Sequence, residues 1–149
     1  MANLRRTEKV GLLPSGNAAL ETLGLTPDIT HPDWPMPVGV GWVVDSVDDE
    51  GGIVRTEVTV LAEPVAVAAG IEARVVHDVV TANGALVADS LAWYAQDADG
   101  NVWKLGEQTA ALAPGRVVTT DGSWEAGTDG ARAGIVLPAI GTDQQARAG

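Results

Sequence analysis

The short connections between the apolar segments are the feature that most strongly restricts the folds open to this chain. From Val38 onward, runs rich in Val, Ala, Thr and Trp alternate with the links DDEGG, ANGA, DADGN and APGR. These links have turn composition and are too short for a crossover helix, so neighbouring strands must run antiparallel. A long meander usually closes to hide its edges. The sequence therefore predicts an all-β fold, an antiparallel meander that closes into a small calycin-like or lipocalin-like β-barrel.

The predicted strands cover residues 39–47, 53–62, 71–81, 85–96, 101–112 and 116–124, and residues 135–140 form one more apolar segment. Before them we predict an irregular N-terminal segment, 1–36, with one short helix. Ser15 or Asn17 would cap this helix and Gly24 would end it. The barrel domain would span 37–140, and a flexible tail would follow at 141–149.

Charge and composition exclude several functions. The chain has 149 residues, with 20 acidic against 9 basic side chains and a formal charge of −11. Such a field repels phosphate backbones and anionic lipid, which disfavours nucleic-acid and membrane-surface roles. No apolar run approaches the roughly 18 residues of a membrane span, so we predict no membrane insertion. With no cysteine and two histidines, neither a metal site nor a cofactor is predicted.

The N-terminus, MANLRRTEKVGLLPSG, carries a twin arginine without an apolar segment behind it. This pattern does not match a signal peptide. The residues therefore indicate a chain that is cytoplasmic or already trimmed.

The segment 75–94, VVHDVVTANGALVADSLAWY, predicts a β-hairpin around Asn83-Gly84. This pair is favoured in two-residue type I′ turns. Counting outward from the turn sets His77 opposite Ser90 and Asp78 opposite Asp89. Two like charges on an exposed sheet cost about 0.2–1 kcal/mol, and we expect both aspartates to be exposed.

The next turn, DADGN, predicts a second hairpin in which Asp97 faces Asn101. Lys104 then lies opposite Tyr94, and Gln108 lies opposite Ser90. A shift of register at Gly106 would instead move Gln108 to the other face. The alternating acids of DADGN resemble a calcium loop, but the position of the glycine favours a hairpin turn.

With the predicted register, His77, Ser90 and Gln108 form one row on a face of small apolar residues, the composition of a ligand site. His77, Tyr94 and Lys104 are the candidate catalytic residues, and Ser90 and Gln108 are candidate ligand contacts. Trp42 and Trp103 are the candidates for stacking on a flat ligand. The alternative is that His77 and Ser90 form a satisfied core pair. Ser90 lacks the G-x-S-x-G turn of a nucleophile, so acyl chemistry is not predicted.

Three segments resemble an uncharacterised family of bacterial, often lipoprotein-like β-domains. They are WPMPVGVGW (34–42), AWYAQDADGNVWKLGE (92–107) and GSWEAGTDGARAGIVLPA (122–139). The resemblance implies an extracytoplasmic β-rich domain and supplies no catalytic residues. This chain departs from the family pattern at Lys104, where an aromatic residue is common.

Two functions follow as hypotheses. The first is a barrel that binds a small apolar or flat molecule, and within this class a cofactor-free cyclase or isomerase is conceivable. The second is a non-catalytic structural or interaction domain whose core is filled by its own tryptophans. A cavity lined by His77 and Ser90 would favour the first hypothesis. Assembly as a homodimer is left open.

Overall fold

The protein is all-β, and its sheet is an antiparallel meander curled into a half-barrel. The computed structural model describes residues 20–34, 37–68 and 70–140. Within these residues the strands are β1 (Gly41–Val47), β2 (Ile53–Val60), β3 (Val65–Val67), β4 (Ile71–Ala82), β5 (Ala85–Gln96), β6 (Val102–Ala113), β7 (Arg116–Thr119), β8 (Trp124–Glu125) and β9 (Gly134–Leu137). The predicted all-β class and antiparallel meander are confirmed, and the sheet forms a half-barrel where a closed calycin-like or lipocalin-like barrel was predicted.

The long strands pair in the order β1-β2-β4-β5-β6-β7. Three short strands extend this path: β3 pairs with β4, and β8 and β9 both pair with β6. The sequence did not predict β3, which lies in the link between the second and third apolar runs. The predicted strand 116–124 is divided into β7 and β8 by a turn in which Gly122 has a φ of +99°.

Little helix is present in the described part of the chain. Leu20 and Glu21 are helical, and Gly24, with a φ of +69°, follows them in a turn. Gly24 thus occupies the left-handed position expected after a helix end. The proposed caps Ser15 and Asn17, and the predicted tail 141–149, lie outside the described residues. Among the described residues, no helix has the length and apolar character needed to cross a bilayer.

A β-bulge in the β4–β5 hairpin changes the predicted register. The turn is as predicted: Ala82 pairs with Ala85, and Asn83 and Gly84 have φ values of +52° and +85°. The ladder then shifts between Val80 and Thr81. An extra residue in one strand reverses the alternation of side chains beyond it.

Beyond this bulge His77 lies opposite Leu91, and Asp78 lies opposite Ser90. The predicted pairs His77–Ser90 and Asp78–Asp89 are therefore wrong. The two aspartates lie on opposite faces of the sheet, so no like-charge pair has to be tolerated.

A second bulge lies between β5 and β6. Tyr94 pairs with Lys104 as predicted, but the ladder then shifts, and Ser90 faces Thr109 instead of Gln108. The alternative register at Gly106 is therefore confirmed. A side chain at Gly106 would lie 2.8 Å from the ring of Trp93, so only glycine allows this approach.

The observed cross-strand pairs assign the side chains of β4, β5 and β6 to the two faces of the sheet. We call the side that carries Val76, Asp78, Ser90, Tyr94, Lys104, Glu107 and Thr109 the Tyr94 face. We call the side that carries Val75, His77, Asp89, Leu91, Trp93 and Gln108 the His77 face.

Each face packs against its own hydrophobic cluster at the same end of the sheet. The larger cluster continues the His77 face and includes the buried side chains of Ala73, Trp103 and Leu105. The smaller cluster lies on the Tyr94 face, where Trp34 and Tyr94 pack against Val58, Val60 and Val76. At one edge of the sheet, beside β2, β1 is exposed along its whole length. The structure therefore buries one end of the half-barrel and leaves β1 uncovered.

Candidate functional site

The structure separates the predicted site residues into three places. Tyr94, Lys104 and Ser90 share the Tyr94 face. Trp42 on β1 lies on the same face, because it pairs with Val58, which in turn pairs with Asp78. His77 and Gln108 lie on the opposite face. The predicted row of His77, Ser90 and Gln108 is therefore not formed, because each bulge moves the side chains beyond it to the other face of the sheet.

On the His77 face, His77 is paired with a carboxylate. Its Nε2 lies 2.7 Å from Oδ1 of Asp89, and the two side chains are 33% and 42% exposed. Gln108 is exposed. His77 is neither a core residue paired with Ser90 nor part of a pocket with it.

Trp103 is buried in the larger core cluster, with 3% of its surface exposed. Its Nε1 donates a hydrogen bond to Asp97 at 2.9 Å. Asp97 also accepts hydrogen bonds from Asp99 and Asn101, which closes the predicted hairpin turn. Trp103 thus contributes to packing and has no exposed ring face for a ligand.

The Tyr94 face carries a group of charged side chains around the only tyrosine of the chain. Lys104 Nζ and Glu107 Oε1 form an ion pair. Burial raises the pKa of the Tyr94 hydroxyl, while the nearby Lys104 acts in the opposite direction. The pKa of Lys104 is also raised: burial lowers it, but the hydrogen bond with Glu107 and the surrounding negative charges outweigh burial.

Asp78, Ser90 and Thr109 form a polar row beside this group. The hydroxyls of Ser90 and Thr109 are 2.7 Å apart and share a hydrogen bond. Burial raises the pKa of the half-buried Asp78, and Glu107 adds to the increase while His77 and Lys104 oppose it. Asp78 is therefore half-buried, although the sequence predicted that it is exposed.

A cavity of about 220 Å³ lies beside this face, between residues 27–34 and 37–38 on one side and the start of β4 on the other. Apolar side chains and a few polar groups share its lining, which consists of Pro27, Ile29, Thr30, His31, Trp34, Pro37, Val38 and Arg74. Neither His77 nor Ser90 lines this cavity, so it differs from the pocket that the sequence suggested.

Gln96, near the end of β5, holds one wall of the cavity in place. Its Oε1 accepts hydrogen bonds from the backbone amides of Thr30 and His31, both at 2.9 Å, and its Nε2 donates to the Thr30 hydroxyl. Backbone hydrogen bonds between Thr26 and Gln96 add a short β-bridge. These contacts fix a segment that contains little regular structure of its own.

His31 fixes the same segment from the other side. Its Nε2 lies 2.7 Å from the carbonyl oxygen of Pro138 and must donate the proton, while Nδ1 accepts the amide hydrogen of Asp33 at 3.0 Å. Both ring nitrogens are therefore engaged in structural hydrogen bonds. His31 shapes the cavity and has no nitrogen left for proton transfer.

Arg74 forms the charged part of the lining, and only 6% of its surface is exposed. Its guanidinium donates to the carbonyl oxygens of Pro27, Leu61 and Ala62 at 3.0–3.3 Å. The only acid within ion-pair distance of Arg74 in the described residues is Asp28, at 3.5 Å. Arg74 joins three chain segments and places a buried positive charge at the cavity.

Trp34 provides the aromatic wall. Its ring meets that of Tyr94 edge to face, with centroids 5.0 Å apart. The sequence suggested Trp34 only as one of several core tryptophans, and it gave Arg74 no site role. An arginine in the apolar run IEARVV was the available signal, but its partners lie at least 12 positions away along the chain.

Within residues 20–34, 37–68 and 70–140, no group of three or more potential metal ligands comes together. Comparison of the chain with protein-family models, with curated proteins and with solved structures gave no match.

Proposed function

We propose that this protein binds a small apolar or flat molecule in the cavity that residues 27–34 and 37–38 form with β4. The observation that carries this proposal is the cavity itself, about 220 Å³ with Trp34 in its wall. Ligand sites combine apolar walls with fixed polar groups, and the surface of this lining is about equally apolar and polar.

The volume sets the size of the ligand. An engineered apolar cavity of about 150 Å³ in another protein holds benzene, whereas drug-sized ligands need roughly 300 Å³ or more. A cavity of about 220 Å³ therefore suits one aromatic or alicyclic ring with a short substituent.

The proposal is binding and does not include catalysis. His31 has both ring nitrogens engaged, and the three candidate catalytic residues do not line the cavity. Tyr94 and Lys104 lie on the neighbouring part of the sheet, and His77 lies on its opposite face. A cyclase or isomerase would need these groups at its ligand, so that hypothesis is the weaker one.

Tryptophan fluorescence during titration with toluene and with indane tests the binding. Trp34 lines the cavity, whereas Trp42 lies on exposed β1, so Trp34→Phe should remove the response and Trp42→Phe should retain it. His77→Ala should bind as the wild type does. If neither ring compound changes the fluorescence or the melting temperature, the proposal fails. The alternative, a non-catalytic structural or interaction domain, would then be preferred.

The resemblance to extracytoplasmic β-domains remains a prediction and does not affect this proposal. A ligand-binding half-barrel is compatible with either location. Fractionation of the native host, followed by immunodetection of the protein, would decide between them.

A further inference from the structure

We infer that the ligand of this cavity carries a single negative charge, and that Arg74 binds it. The inference rests on the proposed binding function and adds the chemical class of the ligand, a small ring compound with one carboxylate. Three features of the cavity support it: the burial of the guanidinium, the weakness of the one carboxylate contact that it makes among the described residues, and the apolar part of the remaining wall.

Among the described residues, the buried guanidinium has one long contact with a carboxylate, so its charge is poorly compensated. Carbonyl oxygens accept three of its hydrogen bonds, but they are neutral and leave the positive charge in place. Buried charges in proteins are normally paired with an opposite charge, because removing an ion from water is costly. With 7% of its side chain exposed, Arg74 gains little from solvent.

Asp28 compensates this charge poorly. Its Oδ1 lies 3.5 Å from Nη2 of Arg74, a long contact for an ion pair between charged groups. The Asp28 side chain is 81% exposed, so water and salt weaken its field. Nη2 is therefore the guanidinium nitrogen best able to donate a hydrogen bond to a second, better placed carboxylate.

The rest of the lining defines the body of the ligand. Pro27, Ile29, Trp34 and Val38 offer apolar surface, and Trp34 offers an aromatic ring. The formal charge of −11 repels anions at long range, so only short-range contacts can retain one. Arg74 supplies such a contact through planar donors that match a carboxylate. An apolar ring with one carboxylate satisfies both parts of the lining.

Calorimetric titration with benzoate and with its neutral isostere benzamide tests the inference. The two probes share size and shape and differ in charge. We expect the wild type to bind benzoate about tenfold or more tightly, because hydrogen bonds to charged groups are the stronger ones. Arg74→Gln should remove this preference.

Asp28→Asn provides an independent variant, because Asp28 is exposed and its substitution should not affect folding. It removes the competing carboxylate and should strengthen benzoate binding about two- to fivefold, with no change for benzamide. This variant decides the question even if Arg74→Gln does not fold.

The outcomes separate the two proposals. Equal binding of benzoate and benzamide overturns the anionic ligand and leaves the binding function intact. Unchanged benzoate affinity in Asp28→Asn also overturns it. If benzoate, benzamide, toluene and indane all fail to bind, both proposals fall.

Discussion

Replacing Asp97 by alanine should destabilise the protein strongly. The Asp97 carboxylate is buried at the tip of the β5–β6 hairpin and accepts four hydrogen bonds at 2.9 Å. The donors are the backbone amides of Asp99 and Asn101, the Asn101 side chain and the Trp103 indole. The substitution removes all four bonds while the donors remain.

The expected loss is about 3–5 kcal/mol of the free energy of unfolding. A buried donor without a partner costs about 1–3 kcal/mol, and the Trp103 indole would be such a donor, because Trp103 is 3% exposed. The two amides and the Asn101 side chain are nearer to solvent and recover part of their loss from water. Each of them should add at most about 1 kcal/mol.

The effect should also depend on pH. Burial acts to raise the pKa of Asp97, but the hydrogen bonds from Trp103, Asn101 and Asp99 outweigh it and hold the pKa below its ordinary value of 3.8. A lowered pKa means that the folded state favours the carboxylate. The stabilisation is therefore complete at neutral pH and is lost as the pH falls through the folded-state value.

Urea unfolding followed by circular dichroism measures this loss. Asp99→Ala is the matched control, since Asp99 is exposed in the same turn and its substitution should change stability by less than about 0.5 kcal/mol. If Asp97→Ala and Asp99→Ala unfold within about 1 kcal/mol of each other at neutral pH, the reasoning from the buried network is refuted.

Two further predictions concern the bulge at Gly106 and the charges of the Tyr94 face. Gly106→Ala should cost about 1–3 kcal/mol in urea unfolding, because the added methyl group would overlap a backbone carbonyl of β8, whereas Gly134→Ala meets open space and should be neutral. Similar midpoints for the two variants would contradict the close packing at the bulge. Absorbance titration of tyrosinate reports Tyr94 alone, and Lys104→Met should raise the pKa of Tyr94 further while Glu107→Gln should lower it. Shifts of the opposite sign would show that these charges do not act on the hydroxyl.

Much of the fold follows from local sequence. The turn sequences ANGA and DADGN fix two hairpins, because Asn-Gly and Gly tolerate the left-handed conformations that these turns need. Ala82–Ala85 and Tyr94–Lys104 consequently pair as predicted. Short links also fix the antiparallel order of the long strands. The short strand β3 was missed because three residues are too few to show the alternating pattern that predicts a strand.

The candidate site could not be found in the same way. Two bulges place His77 and Gln108 on the face opposite Ser90. The shift at Gly106 was predicted as an alternative register, whereas the shift between Val80 and Thr81 was not predicted. A bulge depends on how a whole strand packs, so local composition gives weak warning of it. Gly106, which permits the second bulge, was the exception.

The sequence by itself determined the class of fold, the order of the long strands and the place of the turns, because each depends on interactions between residues close in the chain. Tertiary structure alone decided which side chains share a face and which of them meet at the cavity. Arg74 reaches Pro27 across 47 positions, and His31 reaches Pro138 across 107. Contacts of this length form only when the sheet has curled and the N-terminal segment has packed against it.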